Sequence, residues 1–366
     1  MKIGILTMYY GNISHGGLLQ AYSLQKVLEE YGYDSQVISY DYNFQKRPWF
    51  RVMAHNLKKI PYYLLCVRYG DKTDKKYKEY ANMISHSKYY IKNTISQIGE
   101  EYDVIIVGSD QVWNDDYCDE VFYLPFVKDI RKKVAYAASV GKDNLSEQQI
   151  RDIVEKISSF SAVSVRESNL HEVLQNNTEK SVAYVCDPTL LHDQSFWSKH
   201  ASEKIINKRY VLLYTLSSNE QIIKSATEFA KKHDLSVVTV PNVNCNMKKK
   251  DAVSGNIQAW SIGPQEFLRL IMDSEYVITD SFHCTVFSLI FNKEIYCFDR
   301  ENSGAPMNSR LKSLLGYCGI DNRFVKIDYV PKCDVSECID YSIVNKRLSE
   351  FRNESLEWLK STCKNI

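Results

Sequence analysis

The sequence predicts an α/β protein made of two Rossmann-like domains that face each other across a cleft. Three observations predict this class. Short runs of β-branched and other apolar residues alternate with helical patterns twice along the chain, a polar stretch separates the two series, and several strand-like runs end in small or polar residues. Ligands of parallel α/β sheets bind outside the carboxyl ends of the strands, so we expect the functional site where those ends meet.

The first domain is predicted over residues 1–192. It opens with a strand over Lys2–Tyr9, a loop containing Gly11, Gly16 and Gly17, and a helix over Leu18–Tyr31. Pro188 ends any regular element near the end of this domain, because proline has no backbone N–H to donate. The remaining strands are predicted over Ser35–Tyr40, Tyr102–Val107, Lys133–Ser139, Ala162–Arg166 and Val182–Val185.

The second domain is predicted over residues 209–340, after a polar connection from Asp193 to Lys208. A last helix, Tyr341–Lys364 within residues 341–366, is expected to pack back on the first domain as a terminal strap. The elements of the second series are expected over Tyr210–Leu216, Asn219–His233, Ser236–Val240, Pro264–Asp273, Tyr276–Thr279, Thr285–Phe291, Glu294–Phe298 and Arg310–Leu315.

One segment of the first domain, residues 44–92, is strongly basic. It holds twelve lysines and arginines against three acids, a balance of +9 that leaves −8 on the rest of a chain whose net charge is +1. Aromatic residues lie among these charges. This mixture favours a helical insert that rests on an anionic membrane surface or holds a phosphorylated lipid. The alternative is a solvated helical hairpin whose aromatic residues pack on the domain.

The overall composition argues against several classes of function. A net charge of +1 provides no global field that would attract nucleic acid. The ten cysteines include no CxxC pair and no two histidines have i, i+4 spacing, so we expect free thiols, no metal site and no bound cofactor. Dinucleotide, serine-hydrolase and P-loop motifs are absent.

Without a signal peptide or an apolar run of about 20 residues, the protein is expected to be cytoplasmic, and the basic insert would bring it to the inner face of the cell membrane.

The most informative segment is Glu275–Phe291, which is predicted to form a strand, a tight turn and a helix. The turn would present the carboxylate of Asp280, the hydroxyl of Ser281 and the imidazole of His283 at the carboxyl edge of the sheet. The first N–H groups of a helix lack partners and favour anions. Proton transfer on an anionic substrate is one interpretation, and a core histidine beside an ordinary helix cap is the other. This segment alone leaves the two balanced.

Other polar residues follow predicted strands. Asp110 follows a buried strand and a Gly-Ser turn, where it would act as a general base or would cap a helix. Arg166 ends another strand, and its guanidinium would hold a carboxylate or phosphate or would pair with the adjacent Glu167. Arg310 is a similar candidate. The backbone N–H groups at the start of the first helix would bind an anion, although two glycines before a helix are also common in ordinary turns. The candidate residues there are Asn12, Gly16, Gly17 and Gln20.

Seven of these segments, taken in order, resemble the polysaccharide pyruvyl transferase family. They are HGGLLQAYSLQ, YDVIIVGSDQVWN, YAASVG, VSVRES, CDPTLL, GPQEFLRLI and VITDSFHCTVFSLIF. Each motif is short, but their number and order are specific, and the resemblance runs from Lys2 to about Phe324. It implies a glycosyltransferase-B-like pair of domains.

The resemblance also implies an activity and roles for particular residues. Members of the family transfer a pyruvyl group from phosphoenolpyruvate to a pair of sugar hydroxyls and form a cyclic ketal on a surface glycan or its lipid-linked precursor. Arg166 matches the family arginine proposed to hold the donor, and His283 matches the histidine proposed as acid and base. Ser281 stands where some members carry an arginine, which makes Arg310 the candidate for that contact, and Cys284 replaces a common glycine.

Two rival functions stay open at this level. A glycosyltransferase that uses a nucleotide sugar would need a carboxylate for the ribose in the second domain, and Asp299 or Glu301 would serve. A non-catalytic partner in a glycan-assembly complex would suit the basic insert, but the polar residues at separate strand ends argue against it. The sequence therefore predicts a pyruvyl transferase whose partners are phosphoenolpyruvate and a glycan acceptor, with the membrane surface as a further contact.

Overall fold

The structure is a computed structural model that describes residues 1–11, 14–42, 60–116, 118–217, 219–241, 256–300, 308–327, 329 and 338–366, and only the backbone of residues 60–68. Its strands form two separate parallel sheets. The predicted α/β class is confirmed.

The first sheet has seven strands in the order β3-β2-β1-β4-β5-β6-β7. All residues of its central strands β4 and β5 are buried, as expected of a parallel sheet that is covered on both faces. The strands are β1 (Lys2–Leu6), β2 (Asp34–Tyr40), β3 (His86–Tyr90), β4 (Val104–Val107), β5 (Lys133–Ala138), β6 (Ala162–Val165) and β7 (Val182–Tyr184).

The second sheet has six strands in the order β10-β9-β8-β11-β12-β13. The neighbouring strands of this sheet also pair in parallel. The strands are β8 (Tyr210–Tyr214), β9 (Ser236–Thr239), β10 (Ile257–Gln258), β11 (Tyr276–Thr279), β12 (Glu294–Phe298) and β13 (Phe324–Val325).

Each sheet reverses its strand order at one point. In the first sheet β1 lies between β2 and β4, and in the second sheet β8 lies between β9 and β11. The connections that follow the two strands at such a point leave on opposite sides and open a crevice at the carboxyl edge. The loops after β1, β4 and β11 carry predicted site residues, so the topology places those residues at the two crevices.

The helices lie between the strands, apart from the terminal one. The described helices are α1 (His15–Glu30), α2 (Ile60–Ala81), α3 (Ile98–Glu101), α4 (Glu147–Ile157), α5 (Ser168–Asn177), α6 (Gln194–His200), α7 (Glu220–Lys232), α8 (Pro264–Asp273), α9 (Phe282–Ile290), α10 (Ser309–Cys318) and α11 (Tyr341–Lys364).

The predicted start of the first helix is wrong by three residues. Ser14 is the N-cap, and its hydroxyl accepts a hydrogen bond from the Gly17 N–H at 3.1 Å. Gly16 and Gly17 therefore lie in the first turn of α1 and not in the preceding loop. The predicted start of α9 is wrong in the same way, since Ser281 is the N-cap and His283 lies within the first turn.

The predicted polar connection between the domains contains a helix, α6, which the sequence reading missed. Its Trp197 is fully buried and donates from Nε1 to the carbonyl of Thr189 at 2.9 Å. The same indole packs edge-on against Phe287 of α9, with 5.0 Å between ring centroids. This connection is therefore part of the packing between the two sheets.

The C-terminal helix α11 packs on the first domain, as predicted. Arg352 donates from Nε to the carbonyl of Leu190 at 2.7 Å, and the Ser355 hydroxyl accepts from the N–H of Cys186 at 2.9 Å. Cys186 precedes Asp187 directly and Leu190 lies three residues after it, so the strap supports the loop that carries Asp187.

The described part of the basic insert, residues 60–92, contains the helix α2 and the strand β3, so the prediction of a helical insert is wrong for its last residues, which join the first sheet. The helix α2 joins the two domains, since Lys76 forms an ion pair with Glu266 of α8 at 2.7 Å and Tyr69 stacks on Trp260 with ring centroids 4.7 Å apart. The rest of the insert, residues 44–59, lies outside the described residues. Its predicted membrane contact therefore stays a prediction.

No helix within the described ranges is long and apolar enough to cross a bilayer. The described cysteines are free thiols, as predicted; they are Cys118, Cys186, Cys284, Cys297, Cys318, Cys338 and Cys363.

Candidate functional site

The imidazole of His283 lies against the backbone of Gly16, where the two domains meet. A Cβ atom added to Gly16 would lie 2.0 Å from Nδ1 of His283. Both residues are in the first turns of their helices, α1 and α9. The positive ends of two helix dipoles therefore meet at this imidazole.

Asp187 is the acidic neighbour of the same imidazole, and the sequence reading did not assign it a role. Its Oδ2 lies 3.7 Å from Nε2 of His283. Asp187 follows β7 and its Oδ1 accepts from the N–H of Thr189 at 3.0 Å, which fixes the carboxylate at the start of a short 3₁₀ turn. Within the described part of the chain, Nε2 of His283 is buried without a hydrogen-bond partner, so its hydrogen-bonding capacity is unused.

Arg166 connects Asp187 to Asp110. Its Nη1 donates to Asp187 Oδ2 at 2.5 Å and to the Ser109 hydroxyl at 3.3 Å, while Nη2 donates to Asp110 Oδ1 at 2.9 Å. The guanidinium side chain is only 1% exposed. Both terminal nitrogens of the Arg166 guanidinium thus bind protein carboxylates, so this residue links Asp187 to Asp110.

Glu167, the alternative partner expected for Arg166, forms a different contact. It accepts a hydrogen bond from the Ser139 hydroxyl. Burial raises the pKa of the Glu167 carboxyl above its ordinary value, although Arg166 and the Ser139 contact act against that change. The expected direct pairing of the adjacent residues is wrong, because the two side chains of a strand end point to different neighbours.

The two aspartates of the cluster stay ionised. Burial raises the pKa of Asp187, but the charges of His283 and Arg166 and the hydrogen bond from the Thr189 hydroxyl lower it well below its usual range. Burial also raises the pKa of Asp110, and Arg166, His283 and Arg310 bring it below the ordinary value. For Arg166, burial lowers the pKa and the two carboxylates raise it above the usual value. The cleft therefore holds fixed charges of both signs.

Arg310 reaches the same cluster from α10. Its Nη1 lies 4.0 Å from Asp110 Oδ1. The guanidinium groups of Arg310 and Arg166 lie 5.6 Å and 4.8 Å from the ring centroid of Phe282, so both cations contact one aromatic residue of α9. This placement suits the predicted role of Arg310 as the second arginine of the site.

Asp110, Arg166, His283 and Arg310 are thus brought together, but Ser281 and Asp280 have other partners. The Ser281 hydroxyl accepts from the N–H of Cys284 at 3.5 Å as the cap of α9. The Asp280 carboxylate accepts from the backbone N–H groups of Leu216 and Ser217 at 2.6 and 2.9 Å. Asp280 therefore orders the loop after β8.

Gln20 is also engaged within the protein. Its Nε2 donates to the Thr7 hydroxyl and to the Gly17 carbonyl, both at 2.9 Å, and its Oε1 accepts from the N–H of Ser109 at 3.2 Å. The side chain is fully buried, so it joins the loops after β1 and β4. The predicted site residue Asn12 lies outside the described residues.

The sequence reading missed a second histidine near the site, His15. Its ring stacks on Phe267 of α8 with centroids 4.5 Å apart, and its Nδ1 lies 2.7 Å from the hydroxyl of Tyr77 on α2. Burial lowers the pKa of His15 to about 3, so the imidazole is neutral near pH 7. The signal was its position directly before Gly16, at the start of a helix.

Other candidates from the sequence are less favourably placed. The Asp299 carboxylate, expected to serve a nucleotide ribose, accepts from the side-chain amide of Asn308 at 2.5 Å. Glu301 lies outside the described residues. In the described ranges no group of three or more histidine, cysteine or acidic side chains is arranged to hold a metal ion.

The arrangement has the parts needed for proton transfer on an anion. Two helix N-termini meet at one imidazole, and two guanidinium groups lie beside the neighbouring Asp110 and Phe282, so the cluster favours negative charge. An imidazole is a proton donor and acceptor, and the Asp187 carboxylate lies 3.7 Å away, where it attracts positive charge on the ring. The residues come from both domains, so the site is complete only when the domains are in contact.

A family model described as polysaccharide pyruvyl transferase matches residues 15–302 of the chain. No curated protein matches the chain significantly in sequence. Among solved structures, the chain is similar to UDP-GlcNAc 2-epimerase from Neisseria meningitidis bound to UDP-GlcNAc, with a TM-score of 0.57 and 10% identity over 100% of both chains. It is also similar to UDP-GlcNAc 2-epimerase from Methanocaldococcus jannaschii in complex with UDP-GlcNAc and UDP, with a TM-score of 0.53 and 13% identity over 96% of this chain and 93% of that chain. At these identities the similarity shows the fold alone, and it confirms the predicted glycosyltransferase-B-like arrangement.

Proposed function

The chain belongs to the polysaccharide pyruvyl transferase family, and from that premise we propose that it transfers the pyruvyl group of phosphoenolpyruvate to a pair of sugar hydroxyls. The product is a cyclic ketal on a surface polysaccharide or on its lipid-linked precursor. The family implies a glycan acceptor and a pyruvyl donor. The choice of phosphoenolpyruvate as donor and the ketal chemistry belong to the proposal.

One observation carries the proposal. Gly16 and His283 bring the first turns of α1 and α9 together beside Arg310 and the Arg166 cluster. Phosphoenolpyruvate carries a carboxylate and a phosphate, so it needs several cationic or N–H donors around one point. Two converging helix N-termini and a nearby guanidinium supply them.

Each cation has a distinct role in this proposal. Arg166 is occupied by Asp110 and Asp187, so it orients these carboxylates and adds its charge to the field on the donor. Arg310 lies 4.0 Å from Asp110 and is the guanidinium proposed to contact the donor. In this assignment Arg310 replaces the arginine that some family members carry at the position of Ser281.

His283 is proposed to move the protons. It delivers one proton to the methylene carbon of phosphoenolpyruvate and accepts one from an attacking sugar hydroxyl. Asp187, 3.7 Å from its Nε2, stabilises the protonated imidazole between these two steps. Gly16 holds the ring in place from the other side, because only a residue without a side chain fits there.

The proposed reaction balances in atoms and charge. The methylene carbon gains a proton and becomes a methyl group, and each of two sugar hydroxyls forms a C–O bond to C2 and loses its proton. The bond between C2 and the phosphate oxygen breaks, which releases inorganic phosphate. One hydroxyl proton replaces the proton given to the methylene carbon, and the other leaves with the phosphate.

Asp110 is proposed to accept a hydrogen bond from one of the sugar hydroxyls. Its side chain is 18% exposed, whereas Arg166 and Asp187 are closed off from solvent. Its backbone has a φ of 71°, a left-handed conformation that aspartate tolerates better than most residues. The pairing with Arg166 keeps this carboxylate ionised and able to accept.

A contact between the basic insert and an anionic membrane is a further part of the proposal. It would bring the cleft to a lipid-linked acceptor. On α2, Lys72 and Lys75 are exposed and suited to such a contact, whereas Lys76 is committed to Glu266.

The function is tested by incubating the protein with phosphoenolpyruvate and candidate lipid-linked glycans while phosphate release is measured. Release that requires both substrates supports the proposal. If the protein instead consumes a nucleotide sugar and does not use phosphoenolpyruvate, the result would support a glycosyltransferase function.

A further inference from the structure

A cavity of about 490 Å³ lies in the first domain, beside the cleft that contains His283. It opens at the carboxyl edge of β1 and β2, where the loop after β1 faces helix α2. Its walls are mostly aromatic and apolar, with a few polar groups. Its lining includes Tyr9, Tyr10, Tyr77, His86, Asp74 and Lys78.

The hydroxyls of two of these tyrosines are satisfied inside the protein. Nε2 of His86 lies 2.7 Å from the carbonyl of Ala81 and must donate to it, so Nδ1 of His86 accepts from the Tyr9 hydroxyl at 2.8 Å. The Tyr77 hydroxyl lies 2.7 Å from Nδ1 of His15. The ring surfaces therefore remain as the main contact that these residues offer to a ligand.

The rim of the cavity has different chemistry. Asp74 and Lys78 are one turn apart on α2, and Lys78 is exposed. On the opposite side Tyr10 lies against Tyr89, with ring centroids 5.5 Å apart, and Tyr89 is 48% exposed. An aromatic surface thus extends from the cavity to the solvent and has a carboxylate and an ammonium group at its edge.

A short chain of contacts connects the cavity to the reacting centre. Tyr77 forms the cavity wall and contacts His15, and His15 precedes Gly16, which touches the imidazole of His283. The side chain of Tyr77, together with His15 and Gly16, therefore separates the cavity from His283.

We propose that this cavity binds a pyranose unit of the acceptor glycan and so presents the neighbouring sugar hydroxyls to His283. A pyranose ring has apolar C–H faces that pack on the negative faces of tyrosine rings, and hydroxyls at its edge that pair with a carboxylate or an ammonium group. The cavity has the size and the largely apolar lining of an ordinary small-molecule site. A polyprenyl chain would use the rings but would leave Asp74 without a partner. The inference rests on the proposed function.

Binding is tested first, without phosphoenolpyruvate, by saturation-transfer NMR with a panel of methyl pyranosides that differ only in hydroxyl configuration. We expect at least one of them to receive saturation from the wild-type protein at its ring C–H protons. Tyr10→Ala and Asp74→Asn should each remove that signal, and Tyr33→Ala, directly before the opposite end of β2, should keep it. Binding by none of the pyranosides, or binding that survives both cavity variants, would overturn the assignment. Displacement of a bound pyranoside by farnesyl phosphate would show that the cavity takes an isoprenoid chain instead.

Kinetics then separate this inference from the proposed function. Where phosphate release from phosphoenolpyruvate and a glycan is observed, Tyr10→Ala should raise the acceptor KM about tenfold and leave the KM for phosphoenolpyruvate unchanged, since one aromatic contact is lost. An unchanged acceptor KM would refute the cavity assignment and leave the transferase intact. Pyranoside binding by a protein that releases no phosphate would refute the transferase and leave the cavity as a sugar site.

Discussion

The imidazole of His283 occupies the space that a side chain at position 16 would need. Gly16 lies in the first domain and His283 in the second, and an added Cβ would approach Nδ1 to 2.0 Å. Heavy-atom contacts of this kind are not tolerated, so an added side chain would have to displace the ring. The glycine of one domain therefore sets the position of the proposed acid and base of the other.

Gly16→Ala should remove most of the activity and leave the fold intact. Alanine is the better helix former by about 1 kcal/mol, so any loss would come from displacement of His283 and not from the helix. Phosphate release and thermal unfolding are the measurements. Gly99→Ala is the matched control, because the nearest contact of an added Cβ there is an ordinary 3.6 Å. Equal activity of the two variants would contradict the proposed placement of the imidazole.

His283→Ala should lower the rate of turnover by about 100- to 10,000-fold, the usual loss when a positioned proton-transfer group is removed. In the double variant Gly16→Ala/His283→Ala, the two losses should not add, since both act through one imidazole. His171→Ala, a half-buried histidine of α5 outside the site, serves as control. Additive losses would mean that Gly16 acts on something other than His283.

Arg166→Lys should weaken both donor binding and stability. Arginine bridges Asp187 and Asp110 with separate nitrogens, and lysine presents a single nitrogen to the pair. We expect a loss of about 1–3 kcal/mol in the free energy of unfolding, from denaturant titration, with weaker calorimetric binding of phosphoenolpyruvate. Arg209→Lys is the control, because Arg209 makes a comparable forked contact with Glu275 in an exposed position. Full stability of Arg166→Lys would contradict the bridging role.

The stability of the protein should depend on Asp187 in a way that changes with pH. Its folded pKa is depressed, so its contribution is complete above the unfolded pKa of about 4 and is lost as the pH falls below that value. At pH 7, Asp187→Asn should cost about 3–5 kcal/mol because it removes one of the two carboxylates that pair with the buried charge of Arg166. The difference from wild type should shrink as the pH falls from 4 to 2, whereas exposed Asp71→Asn should differ little at any pH. A difference independent of pH would exclude an ionised Asp187.

Charge reversal on the exposed face of α2 tests the membrane proposal. Lys72→Glu/Lys75→Glu should reduce binding to anionic liposomes at low salt, since each basic residue at such a surface contributes about 1 kcal/mol. Lys76 is left intact because its ion pair with Glu266 joins the two domains, and two other lysines of the insert, Lys58 and Lys59, lie outside the described residues. Lys231→Glu/Lys232→Glu on the exposed end of α7 is the matched control. Liposome binding that is equal in both double variants would mean that α2 is merely a solvated face.

The strand ends explain why most of the site could be predicted. Asp110 and His283 follow buried apolar runs, and Arg166 ends one. Each parallel sheet places such strand ends at its own carboxyl edge, where ligands bind. The pattern of apolar residues in the sequence thus identifies each strand and also the polar residue that follows it. Asp280 shows the limit of this reasoning, because the same position also suits a carboxylate that orders the adjacent loop.

Contacts between the domains could not be predicted in this way. Asp187 resembles an ordinary cap before Pro188, and only the structure places it between Arg166 and His283. The same holds for Gly16, whose function depends on a residue more than 260 positions later in the chain. In a single sequence, neither the spacing of apolar residues nor the local conformational preference of a residue indicates such long-range contacts.

The most direct test of the central claim measures the product. Wild-type protein, phosphoenolpyruvate and a lipid-linked glycan acceptor are incubated, and both released phosphate and the mass of the glycan are followed, with His283→Ala in parallel. The expected result is one phosphate released for each glycan that gains the mass of a ketal-linked pyruvyl group, with both signals lost in the variant. A glycan that gains a hexose from a nucleotide sugar while phosphoenolpyruvate stays intact, or a folded His283→Ala protein that releases phosphate at the wild-type rate, would contradict it.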